Sequence, residues 1–447
     1  MPEEILFLIK ELSTLWKISI PYLLVLKTII VQFWWIIAPF WFLHHLKFIY
    51  KQYIEDIWDN DKTRKRVVLE VKVPQTVLRP LRAMEAVFAS IWGSYDPPKD
   101  WREEHFKGKK LLGASFEIVG IDGTPHFFIR LPLNNRKLIE SAIYSQYPEV
   151  EITEVPDYSK QVPMDVPNKE WDLWGTDFEL IKPDVYPIKT YEQFYEEKPD
   201  VNKEEKRIDP LSHIFEVISK LSKGEQLWIQ IFAMPQGPKE AASYFKRAQQ
   251  EVDRLAKRPE KPKQKSLFED FWNLLVKGES PVAEVKKEDT FLPPEMKLTT
   301  GERDIVSAIE RKKSKNCFSC FIKLVYVAKR KVFFSGAKGF GTSFFGQFGT
   351  QNLNSMKPWG MVTTKVQSPG IFVARRLYLR KRDLIDNYRT RDPAFDPFPV
   401  QGAMYILNTE EMATFYHFPG ADSVPSAAFK RIEMKRGAPP VELPIEK

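Results

Sequence analysis

The spacing of apolar and polar positions divides the chain into one long apolar stretch followed by alternating strand and helix patterns. From Ile18 to Leu43 it reads ISIPYLLVLKTIIVQFWWIIAPFWFL, with Lys27 and Gln32 as the strong polar interruptions. As a helix, these roughly 26 residues extend about 39 Å, against a hydrocarbon core of about 30 Å. The pattern predicts a transmembrane helix over 18–46, with Lys27 snorkelling and Trp34, Trp35 and Trp41 in an interfacial belt. A single span and a short helical hairpin both fit. Ahead of it, Ile5, Leu8, Ile9, Leu12 and Trp16 fall at helical spacing, so 1–17 reads as an amphipathic leader. Lys47, Lys51, Lys62, Arg64, Lys65 and Arg66 follow the span, and 47–65 reads as a basic juxtamembrane linker. By the positive-inside rule the bulk of the chain is expected in the cytoplasm, anchored by one pass in the inner membrane.

Beyond the linker the periodicity alternates between two and 3.6. VVLEVKV is a strand stopped at Pro74, and Leu81, Met84, Val87, Phe88 and Ile91 mark a helix ending at Gly93. SFEIVGIDGTPHFFIRL reads as two strands around a turn at Ile121–Thr124. NRKLIESAIYSQYP is a helix stopped by Pro148, and VEITEV is a strand. The order βαββαβ is that of a ferredoxin-like sandwich over 66–160. A looser second pass follows: DFELIK as a strand, a helix from Asp209–Pro210 to Gly224, and EQLWIQIFAMP as a buried strand. A long basic insertion at about 236–298 interrupts it, and it resumes with a helix at Thr300–Lys312 and the strand CFSCFIKLVYVAKR. The expected fold class is therefore α+β: a transmembrane helix, then two tandem ferredoxin-like domains over 66–160 and 161–400. A C-terminal segment with a Pro-rich tail occupies 401–447.

Length and charge narrow the function. At 447 residues the chain has room for two or three domains, which excludes a small disulfide scaffold, and two cysteines indicate a reducing compartment. Lys+Arg 67 against Asp+Glu 59 leaves a net charge of +8. Catalytic motifs are missing their essential members. GAKGFGTS (Gly336–Ser343) has phosphate-loop spacing, but Thr342 stands where the loop's lysine belongs. Cys317 and Cys320 have no second cysteine pair, and the six histidines are scattered, so a zinc site has too few ligands. No catalytic, cofactor-binding or metal-binding residue is expected, and the chain reads as non-enzymatic.

The remaining signal is basic. Arg254, Lys257, Arg258, Lys261, Lys263 and Lys265 form one cluster. Arg375, Arg376, Arg380, Lys381 and Arg382 form another, with Tyr378 interleaved and Tyr388, Arg389 and Arg391 beyond. Such stripes suit DNA or RNA phosphates with tyrosines stacking on bases, or an anionic lipid surface; a solvated face is the plain alternative.

Two strings carry a resemblance. NTEEMATFYHFPG (Asn408–Gly420) followed by KRIEMKRGAPPVELP (Lys430–Pro444) is similar to the segment preceding the motor domain in conjugation-type DNA-transfer ATPases of type IV secretion systems. FEIVGIDGTPHFFIR, SQYPEVEI, EQLWIQI and FGTQNLNSMKP resemble a bacterial membrane protein family of unknown function associated with such systems. The resemblance covers most of the chain after Lys65 and implies an anchor and adaptor without its motor. It implies a hexameric DNA-translocating ATPase as the partner, docked on the sheet and the C-terminal tail, and supplies no catalytic residue.

Overall fold

The computed structural model describes residues 3–59, 65–74, 80–194, 209–256, 298–366, 372–393, 395–396, 398–399 and 403–419. They divide into two compact units, Met1–Lys65 with Pro97–Lys110, and Arg66–Asp96 with Leu111–Lys447.

The first unit is dominated by one helix, α1 (Glu3–Asp59), which carries Pro21 and Pro39 inside it. The segment 97–110 folds back on its C-terminal end. Within it the short helix α3 (Trp101–His105) is capped by Asp100, whose carboxylate accepts from the Glu103 amide at 2.8 Å. Gly108 then takes φ +66°, and a Cβ there would sit 2.4 Å from the Ile54 carbonyl oxygen. Only glycine allows this approach to α1.

The expected transmembrane helix is corrected here. Residues 18–46 are helical, but among the described residues no helix is long and apolar enough to cross a membrane. Two prolines, Lys27, Thr28, Gln32 and three tryptophans dilute the aliphatic content on which the hydropathy of a span depends. The single-pass inner-membrane localisation falls with it, as does the orientation read from the flanking charges. Trp34, Trp35 and Trp41, assigned to a belt, are exposed at 60%, 60% and 64%. Trp35 Nε1 donates to the Gln32 carbonyl at 2.9 Å, and the Trp41 ring lies 4.3 Å from that of His45.

The second unit is built on strands β1 (Arg66–Lys72), β2 (Ala114–Ile121), β3 (Thr124–Pro132), β4 (Glu151–Val155), β5 (Trp171–Leu180), β6 (Glu225–Gln236), β7 (Cys317–Lys329), β8 (Met356–Pro358) and β11 (Tyr405–Asn408). A separate two-stranded ribbon pairs β9 (Phe395–Asp396) with β10 (Phe398–Pro399). The helices are α2 (Arg82–Ile91), α4 (Arg136–Gln146), α5 (Ser212–Ser219), α6 (Ala242–Leu255), α7 (Thr300–Lys313), α8 (Lys338–Gly346), α9 (Val373–Thr390) and α10 (Thr409–Phe415). Most lie where the sequence periodicity places them. The β2–β3 turn is the expected one, with Asp122 and Gly123 both at positive φ, as a two-residue hairpin of matching twist requires.

Two tandem ferredoxin-like sandwiches do not form, which corrects the expected fold class. The strands make a single nine-stranded sheet in the order β4-β1-β3-β2-β6-β7-β5-β8, with β11 added to β7, and every pairing is antiparallel. The cause is the pairing of β2 with β6, in register from Ala114↔Ala233 to Ile121↔Gln226. Each strand is buried along nearly its whole length and would be an open edge in a separate domain; pairing satisfies both rows of backbone groups and fuses the halves.

The sheet is covered on both faces. On one, Leu69, Phe116, Ile129, Ile229, Ile322 and Leu324 pack under α2, α4, α5, α8 and α10. On the other, Val68, Val119, Phe128, Trp228, Val325 and Val327 pack under α9 and residues 158–166. Double coverage explains why β6 and β7 read as nearly unbroken apolar runs rather than alternating ones. A third cluster joins α6 and α7 through Tyr244, Ala248, Val252 and Ile309.

Helix α9 meets the sheet at Gly175, where a Cβ would stand 2.6 Å from Leu384 Cδ2 and 2.7 Å from the Leu324 carbonyl oxygen. Gly175→Val therefore forces α9 off β5, and denaturant unfolding should show a loss of about 1–3 kcal/mol. Stability equal to the parent's would refute this packing.

Candidate interaction face

The face under α9 carries charge where alternation calls for apolar side chains. Glu117 on β2, Gln230 on β6, Lys323 on β7 and Asp177 on β5 are all buried. Their partners come largely from the end of α9. Arg391, the residue after that helix, has φ +62° and is 1% exposed. Its Nε donates to Glu117 Oε1 at 2.9 Å, Nη2 to Glu117 Oε2 at 3.1 Å, and Nη1 to Asp157 Oδ2 at 2.7 Å. The Tyr158 hydroxyl donates to Glu117 Oε2 at 2.8 Å and lies 2.6 Å from the Tyr388 hydroxyl. With the Tyr158 proton engaged by Glu117, Tyr388 is the donor in that second bond. Gln230 Nε2 donates to the Tyr388 carbonyl at 3.1 Å.

This network ties α9 to β2 and fixes its charges. Burial alone would raise the Asp157 carboxyl, but the Arg391 charge and hydrogen bonds hold it below the usual carboxylate range. Burial pushes both the Tyr158 and Tyr388 hydroxyls well above their ordinary value, so they act as neutral donors. A second buried pair, Lys323 and Asp177, faces across β7 and β5 in direct register at 3.0 Å. There burial raises the Asp177 carboxyl against the opposing pull of Lys323.

With its inner face spent on the sheet, α9 also turns several basic residues inward. Lys381 pairs with Asp172 at 2.5 Å, and Arg380 donates to the Lys365 carbonyl at 2.6 Å. Arg389 reaches the carbonyls of Val162 at 3.0 Å and Pro163 at 2.9 Å. Of the sequence-predicted cluster, Arg375, Arg376 and Tyr378 remain on the exposed side. Arg382 lies beside them, its Nη1 3.5 Å from the Tyr378 hydroxyl. In the other cluster, Arg254 lies in the last turn of α6 and pairs with Glu251 of the same helix at 2.5 Å. Lys257, Arg258, Lys261, Lys263 and Lys265 lie outside the described residues.

The remaining sequence motifs have structural roles. Asn408 to Phe418 is buried: Asn408 and Glu411 form a reciprocal capping box on α10. Glu411 also meets the buried Lys312 at 3.0 Å; burial raises its carboxyl and Lys312 opposes that. Glu410 accepts from Lys315 at 2.7 Å and forms an ion pair with Arg311 at 3.1 Å, beside a polar cavity of about 370 Å³ that Thr190 and Asp304 also line. His417 bridges the Ala413 carbonyl at 2.8 Å and Asp209 at 2.9 Å. The segment from Asn408 to Phe418 is thus part of the core, while the C-terminal tail expected as a contact surface, beyond 419, lies outside the described residues.

The glycine-rich GAKGFGTS stretch enters α8, where Gly341 lets the helix press on Leu324, 2.8 Å from a built Cβ. Its amides belong to a helix rather than to a phosphate cradle. Burial pushes the Cys317 thiol up to about 11 and the Cys320 thiol well above its ordinary value, so neither is a ready thiolate. Among the described residues no group of three or more His, Cys, Asp or Glu is arranged to hold a metal ion.

The sequence reading overlooked Glu117, Asp157, Asp177, Lys323 and the role of Arg391. Its available signal was a single charge inside an apolar run: Glu117 in SFEIVGI and Lys323 in CFIKLVYV.

Two outcomes follow. Arg391→Met leaves Glu117 buried without its cation and should cost about 3–5 kcal/mol at neutral pH. Because Asp157 is depressed in the folded state, its contribution is present above the unfolded carboxylate value and lost as pH falls through the lower folded value. The gap between parent and variant, followed by denaturant unfolding, should therefore narrow below about pH 4. A gap independent of pH would contradict the assignment. Separately, Lys323→Met should cost about 3–5 kcal/mol and the double variant Lys323→Met/Asp177→Leu should regain most of it; additive losses would show that the pair is not coupled.

A search against protein-family models finds no match to this chain, and a search of curated proteins finds none either. Neither search supports the type IV secretion and conjugation assignment that the sequence resemblance implies.

Proposed function

We propose that this chain is a non-enzymatic adaptor that docks a separate, hexameric DNA-translocating ATPase. The observation that supports this reading is the outer surface of α1. Val31, Phe33, Phe40, Leu43, Ile49 and Ile57 are exposed there together with Trp34, Trp35 and Trp41. Exposed apolar surface concentrated in this way marks an interaction site. The ionisable side chains of the second unit fit the same reading, since the buried ones neutralise one another and brace the sheet.

A second reading, direct binding of DNA or RNA, is favoured by Arg375, Arg376 and Tyr378 on the exposed side of α9. Its signature is an affinity that falls steeply with salt, in proportion to the phosphates contacted.

The adaptor reading is tested with the full chain and a purified hexameric DNA-translocating ATPase. The chain should retain the ATPase and change its turnover. Trp34→Ser/Trp35→Ser/Trp41→Ser should weaken retention by about tenfold or more, as loss of large aromatic anchors does. A parent chain that neither retains the ATPase nor alters its turnover would overturn the proposal.

A further inference from the structure

The start of α9 breaks three rules of helix termini at one place. Its N-cap is Phe372 at φ +56°, a left-handed conformation that an aromatic residue rarely adopts, and no side chain caps the helix. Its first turn holds no acidic residue and instead presents Arg375 and Arg376 to the positive end of the helix dipole. Its aromatic cap is 75% exposed, and Tyr378 and Leu379 follow on the exposed side at 43% and 47%. None of these features helps the helix fold. Local rules broken together without a structural gain are expected at a working surface.

We propose that this face of α9 docks an acidic, amphipathic segment of a partner protein. Arg375, Arg376 and Arg382 supply the charge complementary to its carboxylates, and the helix dipole adds to their field. Phe372, Tyr378 and Leu379 supply apolar surface for its anchoring side chains. A nucleic-acid strand fits less well. Arg380, Lys381 and Arg389 are turned to protein carbonyls and to Asp172, which leaves few outward cations for a phosphate track. Further along the exposed side stand Asp383 and Asp386, which end the basic surface and confine a docked acidic segment to the first turns of the helix. The proposal names the kind of segment an adaptor's partner would present, and it rests on the adaptor reading only for that partner's identity.

The test uses the full chain and three labelled probes followed by fluorescence anisotropy. One is a peptide of about 20 residues with Glu-rich and Leu-bearing faces at helical spacing; the second has its leucines replaced by Ser; the third is oligo(dT) of similar length. The Leu peptide should bind best. Arg375→Glu/Arg376→Glu should weaken it about tenfold or more, and Leu379→Ser should weaken it without changing its salt dependence. The charge-reversed chain should keep its helical circular dichroism and its thermal midpoint, because acidic residues suit a first turn. Three results would each overturn the proposal: oligo(dT) bound more tightly than the Leu peptide, equal binding of the Ser peptide, or undiminished peptide binding after charge reversal. Peptide binding that persists in a chain unable to hold the ATPase would remove the adaptor reading and leave this surface standing.

Discussion

The antiparallel pairing of β2 with β6 is the constraint on which the second unit depends. Both strands are buried along nearly their whole length, and neither could be left as an open edge without exposing a row of backbone donors and acceptors. Joined from Ala114↔Ala233 to Ile121↔Gln226, they turn two sets of strands into one sheet with a common layer of helices on one face. That continuity lets Phe116 on β2 pack against Tyr416 beyond the last helix, with ring centroids 5.3 Å apart. It also brings Glu117 within reach of Arg391, which follows it by 274 residues.

The other face of the same sheet is held by charge more than by shape. The Arg391 side chain meets two carboxylates where the chain reverses at the end of α9, and the neutral Tyr158 hydroxyl, itself bonded to that of Tyr388, donates to Glu117 as well. Buried ion pairs contribute little net stability over apolar packing, but they penalise any arrangement that separates them. The consequence is positional: α9 is fixed at its C-terminal end, and its N-terminal turns carry the exposed arginines and aromatics. The first unit has a simpler balance. There α1 leaves much of its apolar surface uncovered among the described residues, so its energetics are completed by whatever it contacts.

How far the sequence could be read depended on range. Strand alternation in RVVLEVK, the Asp122–Gly123 turn and the helix ending near Gly93 are local properties, and each occurs where expected. The basic stripe at 375–382 was a poorer guide, because identical residue types divide between solvent and structure once α9 lies on the sheet. Arg375 and Arg376 face out while Arg380 and Lys381 face in, a distinction set by contacts with residues 365 and 172. The apolar run at 18–43 misled for a different reason. A stretch rich in Trp, Phe and Pro counts as hydrophobic by residue class, yet among the described residues no helix is long and apolar enough to cross a membrane.

By itself, the sequence determined most of the secondary structure and the buried character of β6. Those features follow from side-chain periodicity and burial cost, which act within a few residues. Only the tertiary structure decided that β2 meets β6, that Arg391 answers Glu117 and Asp157, and that the segment from Asn408 to Phe418 is core. Such pairings join residues a hundred or more positions apart. They are chosen by competition among edges and charges across the whole chain, and no local pattern encodes the winner.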